Sequence, residues 1–133
     1  MLMKEVFEAQ FRVYFEDTDL MGIMYHANYL RFFERSRTEM LRELGCLLTD
    51  FAAKNYHFAI HKVQMNYIYP ARLDDRLFIF SHLVQKTLCS IVFEQSMRNQ
   101  DNRTLCKAII SVVCVDNLMK PRRLPSVLSY VEE

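Results

Sequence analysis

Three carboxylates and a histidine lie close together in the sequence, on either side of a turn. Glu16, Asp17 and Asp19 end a segment with strand periodicity, and His26 comes just before a segment with helical periodicity. A positioned carboxylate can act as a general base or as a nucleophile. The first N–H groups of a helix are unpaired and favour negative charge. We therefore expect the chemistry of this chain at the junction spanning residues 14–30.

The two elements that flank this junction have clear periodicities. Period-2 alternation predicts a strand whose buried face carries Phe7, Ala9, Phe11, Val13 and Phe15. After the turn, apolar residues recur at helical spacing up to Leu44, and Gly45 is a stop signal. This spacing predicts a helix of roughly four or five turns. The carboxylates should therefore sit at a strand end, beside a helix start.

The rest of the chain predicts one short helix and four further strands. The helix is expected over residues 47–55, with Thr49 or Asp50 as its N-cap. The strands are expected at Phe58 to Tyr69, Leu77 to Gln85, Ser90 to Arg98 and Leu105 to Val115. The middle two should form a hairpin, and the last should be buried on both faces. Residues 119–133 should form an ordered tail with one helical turn. This order predicts an α+β fold, an antiparallel sheet with one helix against its face.

Length, composition and charge narrow the class of protein. A chain of 133 residues with 51% hydrophobic residues is expected to form one domain over residues 1–133. A net charge of +1 gives no general reason to expect binding to nucleic acid or membranes. The four cysteines form no C-x-x-C pair, and no secretory or membrane-spanning pattern is present in the sequence. These features favour a cytoplasmic protein with free thiols. His57 and His61 flank a strand start, so no metal site is predicted.

Several sequence blocks resemble hotdog-fold acyl-CoA thioesterases of the 4-hydroxybenzoyl-CoA thioesterase type, and in particular the Tol-Pal-associated branch found in Gram-negative bacteria. The blocks are Val-Tyr-Phe-Glu-Asp-Thr-Asp (13–19), Tyr-His-Ala (25–27), Glu-Arg-Ser-Arg-Thr-Glu-Met-Leu (34–41), Pro-Ala-Arg-Leu-Asp-Asp (70–75) and Lys-Pro-Arg (120–122). The resemblance implies five antiparallel strands wrapped around one long central helix. It also implies homodimers or homotetramers with active sites between subunits, and a cytoplasmic location, peripheral to the inner membrane.

The resemblance further implies the reaction and the residues that perform it. The reaction is hydrolysis of an acyl-CoA to a carboxylic acid and free CoA, without a metal or other cofactor. Asp19 matches the catalytic carboxylate, acting as a nucleophile or as a general base, which the sequence does not distinguish. The backbone N–H of His26 matches the oxyanion donor, and its imidazole could orient water or Asp19. Tyr25, Gly22 and Arg72 are the candidate substrate-binding residues.

Other interpretations of these residues remain open at this point. Asp19 alone would be explained as a turn or cap residue, and Asp17 is predicted to be structural. Aromatic residues on the helix could line an acyl pocket, but helix aromatics are more often core. The candidates to bind CoA phosphates are Arg72, Lys120, Arg122 and Arg123. The alternative function is a non-hydrolytic module that binds acyl-CoA or an acyl carrier protein, and a hotdog dehydratase ranks last.

Overall fold

A computed structural model describes residues 5–129 of the chain. Its elements are β1 (Phe7–Arg12), a 3-10 turn (Phe15–Asp17), α1 (Asn28–Glu43), α2 (Leu48–Ala53), β2 (His57–Tyr67), β3 (Arg76–Lys86), β4 (Ser90–Arg98), β5 (Thr104–Val115) and α3 (Ser126–Ser129). The strands form one five-stranded sheet in the order β1-β3-β4-β5-β2, with every neighbouring pair antiparallel. The predicted α+β hotdog fold and the β3–β4 hairpin are confirmed.

Helix α1 lies against one face of the sheet because its buried residues recur at three- and four-residue spacing. They are Asn28, Tyr29, Phe32, Phe33, Ser36, Met40 and Leu41. The facing strands alternate buried and more exposed residues, as along β3 and β4. The core therefore lies between α1 and the inner face of the sheet, and most of the stabilisation of this fold comes from burying that apolar surface.

A small polar network also joins α1 to the sheet. Gln95 Nε2 of β4 donates to the carbonyl of Phe33 at 3.0 Å and to Ser81 Oγ of β3 at 2.8 Å. Ser36 Oγ of α1 lies 3.1 Å from the same Ser81 hydroxyl. Among residues 5–129, no buried side-chain nitrogen or oxygen lacks a hydrogen-bond partner. This network fixes the position of the helix along the strands, because a shift would leave buried polar atoms unpaired.

The end of α1 follows the stop signal in the sequence. Gly45 has φ +81, its N–H donates to Arg42 O at 2.9 Å, and the Cys46 N–H donates to Leu41 O at 2.8 Å. This pair of bonds is the Schellman arrangement, which requires a residue in the left-handed region and so favours glycine. The predicted helix end is therefore correct to within about two residues.

Strand β1 is shorter than the alternation predicted. It ends at Arg12, and Phe15, expected on the buried face, is 81% exposed. The reason is local: the Asp17 carboxylate accepts the Tyr14 N–H, and the Asp17 N–H donates to Tyr14 O at 3.0 Å. These bonds turn the chain into a 3-10 turn, which takes Phe15 off the face of the sheet.

Two further expectations were wrong. Helix α2 begins after Leu47 with no side-chain cap, so neither Thr49 nor Asp50 is its N-cap. Strand β5 is buried on one face only, since Ile109 is 42% exposed. The apolar residues on its outer face, Ile109 and Val113, are β-branched and suit a strand whether or not they are covered.

The predicted helical turn near the C-terminus is present as α3, while residues 130–133 of the expected tail lie outside the described residues. No helix within residues 5–129 is long and apolar enough to cross a membrane.

The substitution Phe33→Ala should lower the free energy of unfolding by about 3–5 kcal/mol, because Phe33 is fully buried and its removal leaves a cavity. The matched substitution Phe15→Ala should change it by less than about 0.5 kcal/mol, because that ring is exposed. Urea unfolding followed by circular dichroism measures both values. Equal losses would contradict the placement of these two rings.

Candidate active site

The junction between β1 and α1 folds into a short hairpin. Thr18 pairs with Met24, the Asp19 N–H donates to Ile23 O at 2.9 Å, and the Gly22 N–H donates back to Asp19 O at 3.0 Å. Gly22 has φ +77, a left-handed conformation that side chains with a Cβ rarely adopt. A glycine in this conformation after a tight turn is typical of short hairpin loops. Gly22 therefore shapes the loop that carries Asp19.

Asp19 serves the hairpin and still presents a carboxylate oxygen to solvent. Its Oδ1 accepts the Met21 N–H at 2.8 Å, the side-chain bond that makes aspartate common in turns. Its Oδ2 has no hydrogen-bond partner in the described part of the chain, and the residue is exposed. One oxygen thus fixes the orientation of the carboxyl group, and the other is open for chemistry.

Asp17 holds the hairpin against the start of α1. This residue is buried, its Oδ2 accepts the Tyr14 N–H at 2.8 Å, and its Oδ1 accepts Nδ2 of Asn28, the first residue of α1, at 3.0 Å. Its backbone carbonyl also accepts the Tyr25 N–H at 2.9 Å. These bonds to amide groups agree with the structural role predicted for Asp17.

No side chain of the described residues caps the N-terminus of α1. Ala27 is the N-cap and offers no side-chain acceptor, and no protein acceptor within residues 5–129 pairs with the N–H groups of His26 and Ala27. The His26 carbonyl is held by the hydroxyl of Tyr67, which donates to it at 2.9 Å. The rings of Tyr25 and His26 pack with centroids 4.5 Å apart. The N–H groups of His26 and Ala27 are therefore available to an acceptor from outside the chain, next to a carbonyl that Tyr67 holds in place.

Two tyrosines that the sequence did not assign to the site support it. Tyr67, at the end of β2, holds the His26 carbonyl, and its ring packs edge-on against Tyr29 of α1 at 5.1 Å. The Tyr29 hydroxyl accepts the Ala71 N–H at 3.0 Å, and burial raises the pKa of this tyrosine. No local spacing in the sequence could reveal these contacts, because each joins residues about forty positions apart.

The structure also brings Arg72 to the hairpin. Arg72 forms an isolated antiparallel bridge with Ile23, and the neighbouring Met24 N–H donates to Ala71 O at 2.8 Å. The Arg72 side chain is exposed, and its N–H donates to Asp75 Oδ2 at 2.9 Å. Of the residues proposed from the sequence, Asp19 and Gly22 lie in the hairpin, Tyr25 and His26 follow it, and the bridge to Ile23 joins the Arg72 backbone to it.

The other three candidates for binding CoA phosphates lie elsewhere in the chain. Lys120, Arg122 and Arg123 follow β5, whose last residue, Val115, pairs with the first residue of β2. The candidate site is at the last residue of β2, about 33 Å away along the strand. Arg122 is also engaged structurally, since its Nη1 donates to Asn55 O at 2.8 Å. Within one chain, these three residues do not join the site.

The three buried cysteines, Cys46, Cys106 and Cys114, are poor nucleophiles. Burial raises the pKa of Cys106 to about 12 and also raises the pKa values of Cys46 and Cys114. Thiols with raised pKa values stay protonated at neutral pH, and the thiolate is the reactive form. Within residues 5–129, no group of three or more His, Cys, Asp or Glu side chains is arranged to hold a metal ion.

The substitution Asp17→Asn should destabilise the fold by about 1–3 kcal/mol, because one carboxylate oxygen becomes an NH₂ group facing a donor. The control is Asp50→Asn, at an exposed position of α2. Chemical denaturation gives both free energies of unfolding. A loss for Asp17→Asn no larger than that of the control would show that its hydrogen bonds do not hold the hairpin.

The sequence of this chain is similar to those of known proteins. A sequence model of the Thioesterase-like superfamily matches residues 13–130. The chain is 45% identical over 121 residues to the acyl-CoA thioester hydrolase YbgC of Escherichia coli O6:H1, covering 90% of each chain. It is 41% identical over 122 residues to the acyl-CoA thioesterase YbgC of Haemophilus influenzae, covering 90% of this chain and 88% of that one.

The fold is also similar to solved structures. The crystal structure of a probable thioesterase from Bartonella henselae superposes with a TM-score of 0.88 at 33% identity, covering 91% of this chain and all of that one. The family model spans most of the chain and includes the hairpin and the start of α1. From its sequence and its fold, this chain belongs to the thioesterase-like superfamily.

Proposed function

We propose that this chain is an acyl-CoA thioesterase, which hydrolyses an acyl-CoA to a carboxylic acid and free coenzyme A. The proposal is supported by similarity to proteins named acyl-CoA thioester hydrolases and by one observation at the site. That observation is an oriented carboxylate, Asp19, on the hairpin that leads directly into the uncapped start of α1.

Asp19 is the proposed catalytic carboxylate. The Met21 N–H holds Oδ1 at 2.8 Å, so the open Oδ2 can meet a substrate without reorientation of the group. Two routes use this oxygen: attack on the thioester carbonyl to form a mixed anhydride, or removal of a proton from an attacking water. In the first route the thiolate of coenzyme A leaves as the anhydride forms, and water then hydrolyses the anhydride to the carboxylic acid and the Asp19 carboxylate. In the second route the tetrahedral intermediate formed by water expels the thiolate. In both routes the thiolate takes up a proton, and both require the ionised carboxylate.

The start of α1 is the proposed oxyanion site. The tetrahedral intermediate places negative charge on the former carbonyl oxygen, and preorganised N–H donors stabilise that charge. His26 supplies the proposed donor through its backbone N–H, and Tyr67 fixes the other side of the residue by binding its carbonyl at 2.9 Å. The imidazole of His26 is exposed and has room to orient water.

Gly22, Tyr25 and Arg72 are the proposed substrate-binding residues. Gly22 shapes the hairpin through its left-handed backbone conformation. Tyr25 is exposed beside the helix start, and Arg72 is a cation suited to phosphate. We further propose that two or four copies assemble. The outer strands β1 and β2 have unpaired edges in one chain, and pairing covers such edges.

The alternative function is a binding module that holds an acyl-CoA or an acyl carrier protein without hydrolysis. The open oxygen of Asp19 favours the enzyme, because a binding module has no need for an oriented carboxylate at this position. A cytoplasmic location, peripheral association with the inner membrane and a link to the Tol-Pal system remain predictions from the sequence.

The substitution Asp19→Asn should lower kcat/KM for thiol release from acyl-CoA esters by about 10²–10⁴-fold, the usual contribution of a positioned base. The shape of the side chain and an acceptor for the Met21 N–H are kept, so the fold should survive. A colorimetric thiol reagent measures the reaction, with Asp50→Asn as the control. Full activity of Asp19→Asn would reject this mechanism, and acyl-CoA binding without release by the wild type would favour the binding module.

The substitution His26→Ala removes the imidazole and keeps the backbone N–H, so it tests the two groups of His26 separately. The N–H remains in place, so we expect less than about a tenfold loss in kcat, well below the 10²–10³-fold loss that removal of an oxyanion donor causes. Thermal melting of the variant provides the folding control. A loss as large as that of Asp19→Asn would assign the chemical role to the imidazole instead.

A further inference from the structure

Two cysteines lie opposite each other where β5 pairs with the start of β4. The register of these strands sets Ser90 against Val113, so the residue before Ser90 lies opposite the residue after Val113. Those two residues are Cys89 and Cys114. The Cys114 N–H donates to Cys89 O at 2.7 Å, which confirms that the pairing continues to this position. The sheet therefore brings together two thiols that are far apart in the sequence.

Both side chains belong to the inner face of the sheet. Alternate residues of a strand point to the same face. Cys114 is fully buried, and Cys89 comes two positions before Ile91, which is 3% exposed and part of the core. Burial raises the pKa of the Cys114 thiol, Arg122 lowers it, and Cys89 raises it further, so the two thiols are close enough to interact.

The separation of this pair is close to what a disulfide requires. Directly opposite residues of antiparallel strands have Cα atoms about 5.5 Å apart when they are hydrogen-bonded, and Cβ atoms about 4.5–5.5 Å apart. A disulfide needs about 4.4–6.8 Å between Cα atoms and about 3.5–4.5 Å between Cβ atoms. The Cα separation therefore suits the bond, and the Cβ atoms must approach by roughly 1 Å.

The backbone at Cys89 is able to make this approach. Cys89 forms a bend just before β4 begins, so its conformation is not set by a strand. Its N–H donates to Thr87 Oγ1 at 3.4 Å, while the Cys114 carbonyl accepts the Arg122 N–H at 2.9 Å. Of the two hydrogen bonds of a complete antiparallel pair, the described residues Cys89 and Cys114 therefore make one. Cys89 can shift without breaking the rest of the β4–β5 pairing.

The two thiols differ in their access to solvent. Cys89 is half-buried, whereas Cys46, Cys106 and Cys114 are buried. A small oxidant therefore reaches the Cys89 sulfur first. Cys114 lies beside it, and its Sγ donates to the Arg123 carbonyl at 3.8 Å. An accessible thiol next to a second, resolving thiol is the usual arrangement at redox-sensitive cysteines.

We propose that Cys89 and Cys114 form a redox modification site, at which a hydroperoxide produces a reversible intramolecular disulfide. The Cys89 thiolate attacks one peroxide oxygen, and the O–O bond breaks. The other oxygen takes up the proton that the thiol lost and leaves as water or an alcohol. The Cys114 sulfur then attacks the sulfur of the Cys89 sulfenic acid, the S–O bond breaks, and the departing hydroxide takes the Cys114 proton to form water. The two sulfurs together lose two electrons, and the peroxide gains them.

The arrangement protects Cys89 from irreversible oxidation. A sulfenic acid next to a thiol condenses to a disulfide, which other thiols reduce, whereas an isolated sulfenic acid proceeds to sulfinic acid. The remaining two cysteines have no such neighbour in the described sheet, since Cys106 pairs with Met97 and Tyr67, and Cys46 follows α1 outside the strands. They serve as reference thiols. The site goes beyond the proposed thioesterase function and does not depend on it.

The test treats the reduced protein with hydrogen peroxide, unfolds it in urea with N-ethylmaleimide and counts the labels by intact mass spectrometry. Before oxidation the four cysteines should carry four labels. After oxidation the wild type should carry labels only on Cys46 and Cys106. Peptide mapping without a reductant should find Cys89 linked to Cys114, and dithiothreitol should restore all four labels.

Three variants separate this bond from other oxidation. Cys106→Ala, the matched control, should still form the bond. Cys89→Ser, at a half-buried position, should keep a label on every remaining cysteine after peroxide. In Cys114→Ala, dimedone should trap Cys89 as a sulfenic acid. Circular dichroism checks the fold of each variant, and if Cys114→Ala does not fold, Cys89→Ser alone gives the comparison.

Three results would overturn the proposal. They are a fully labelled wild type after peroxide, a Cys89 bond between two copies on a non-reducing gel, and sulfinic acid at Cys89 without a disulfide.

Discussion

A buried carboxylate, Asp17, joins the three segments that meet at the candidate site, because its oxygens accept hydrogen bonds from the Tyr14 backbone and the Asn28 side chain. The same residue ends β1 early, sets the 3-10 turn and binds the returning strand of the hairpin through its carbonyl. Asp19 has its position relative to α1 because Asp17 holds both ends of the loop. The position of Asp19, the catalytic candidate, therefore depends on the hydrogen bonds of its buried neighbour Asp17.

The sequence predicted the elements well where one physical signal acted alone. Gly45 at a helix end and the alternation along β4 each have a single dominant cause, and both predictions held. Phe15 shows the opposite case, because its alternation argued for burial while the Asp17 carboxylate pulled the backbone away from the sheet. Alternation along a strand predicts only which side chains are buried, so it cannot predict this hydrogen bond of the Asp17 carboxylate.

The sequence predicts where the candidate site lies along the chain, but it does not predict the contacts that arrange it in space. The spacing of Asp19, Gly22 and His26 is local, so a motif can carry it. The support from Tyr29 and Tyr67 is set by the packing of α1 against strands far away in the sequence, which spacing does not encode. Similarly, composition alone made Arg72 and Arg122 equal candidates for phosphate, and only the topology of the sheet separates them.

The order of strands has a consequence for how activity would respond to protein concentration. Strand β2 is at the edge of the sheet, and its last residue, Tyr67, binds the carbonyl of His26, the residue whose N–H is the proposed oxyanion donor. If two chains join along β2, the seam between them runs past this tyrosine. Separating the chains would leave Tyr67 as exposed as it is in one chain and weaken its hydrogen bond to the His26 carbonyl. The specific activity would then fall on dilution, and the assembly itself would act as the switch that turns the catalytic centre on.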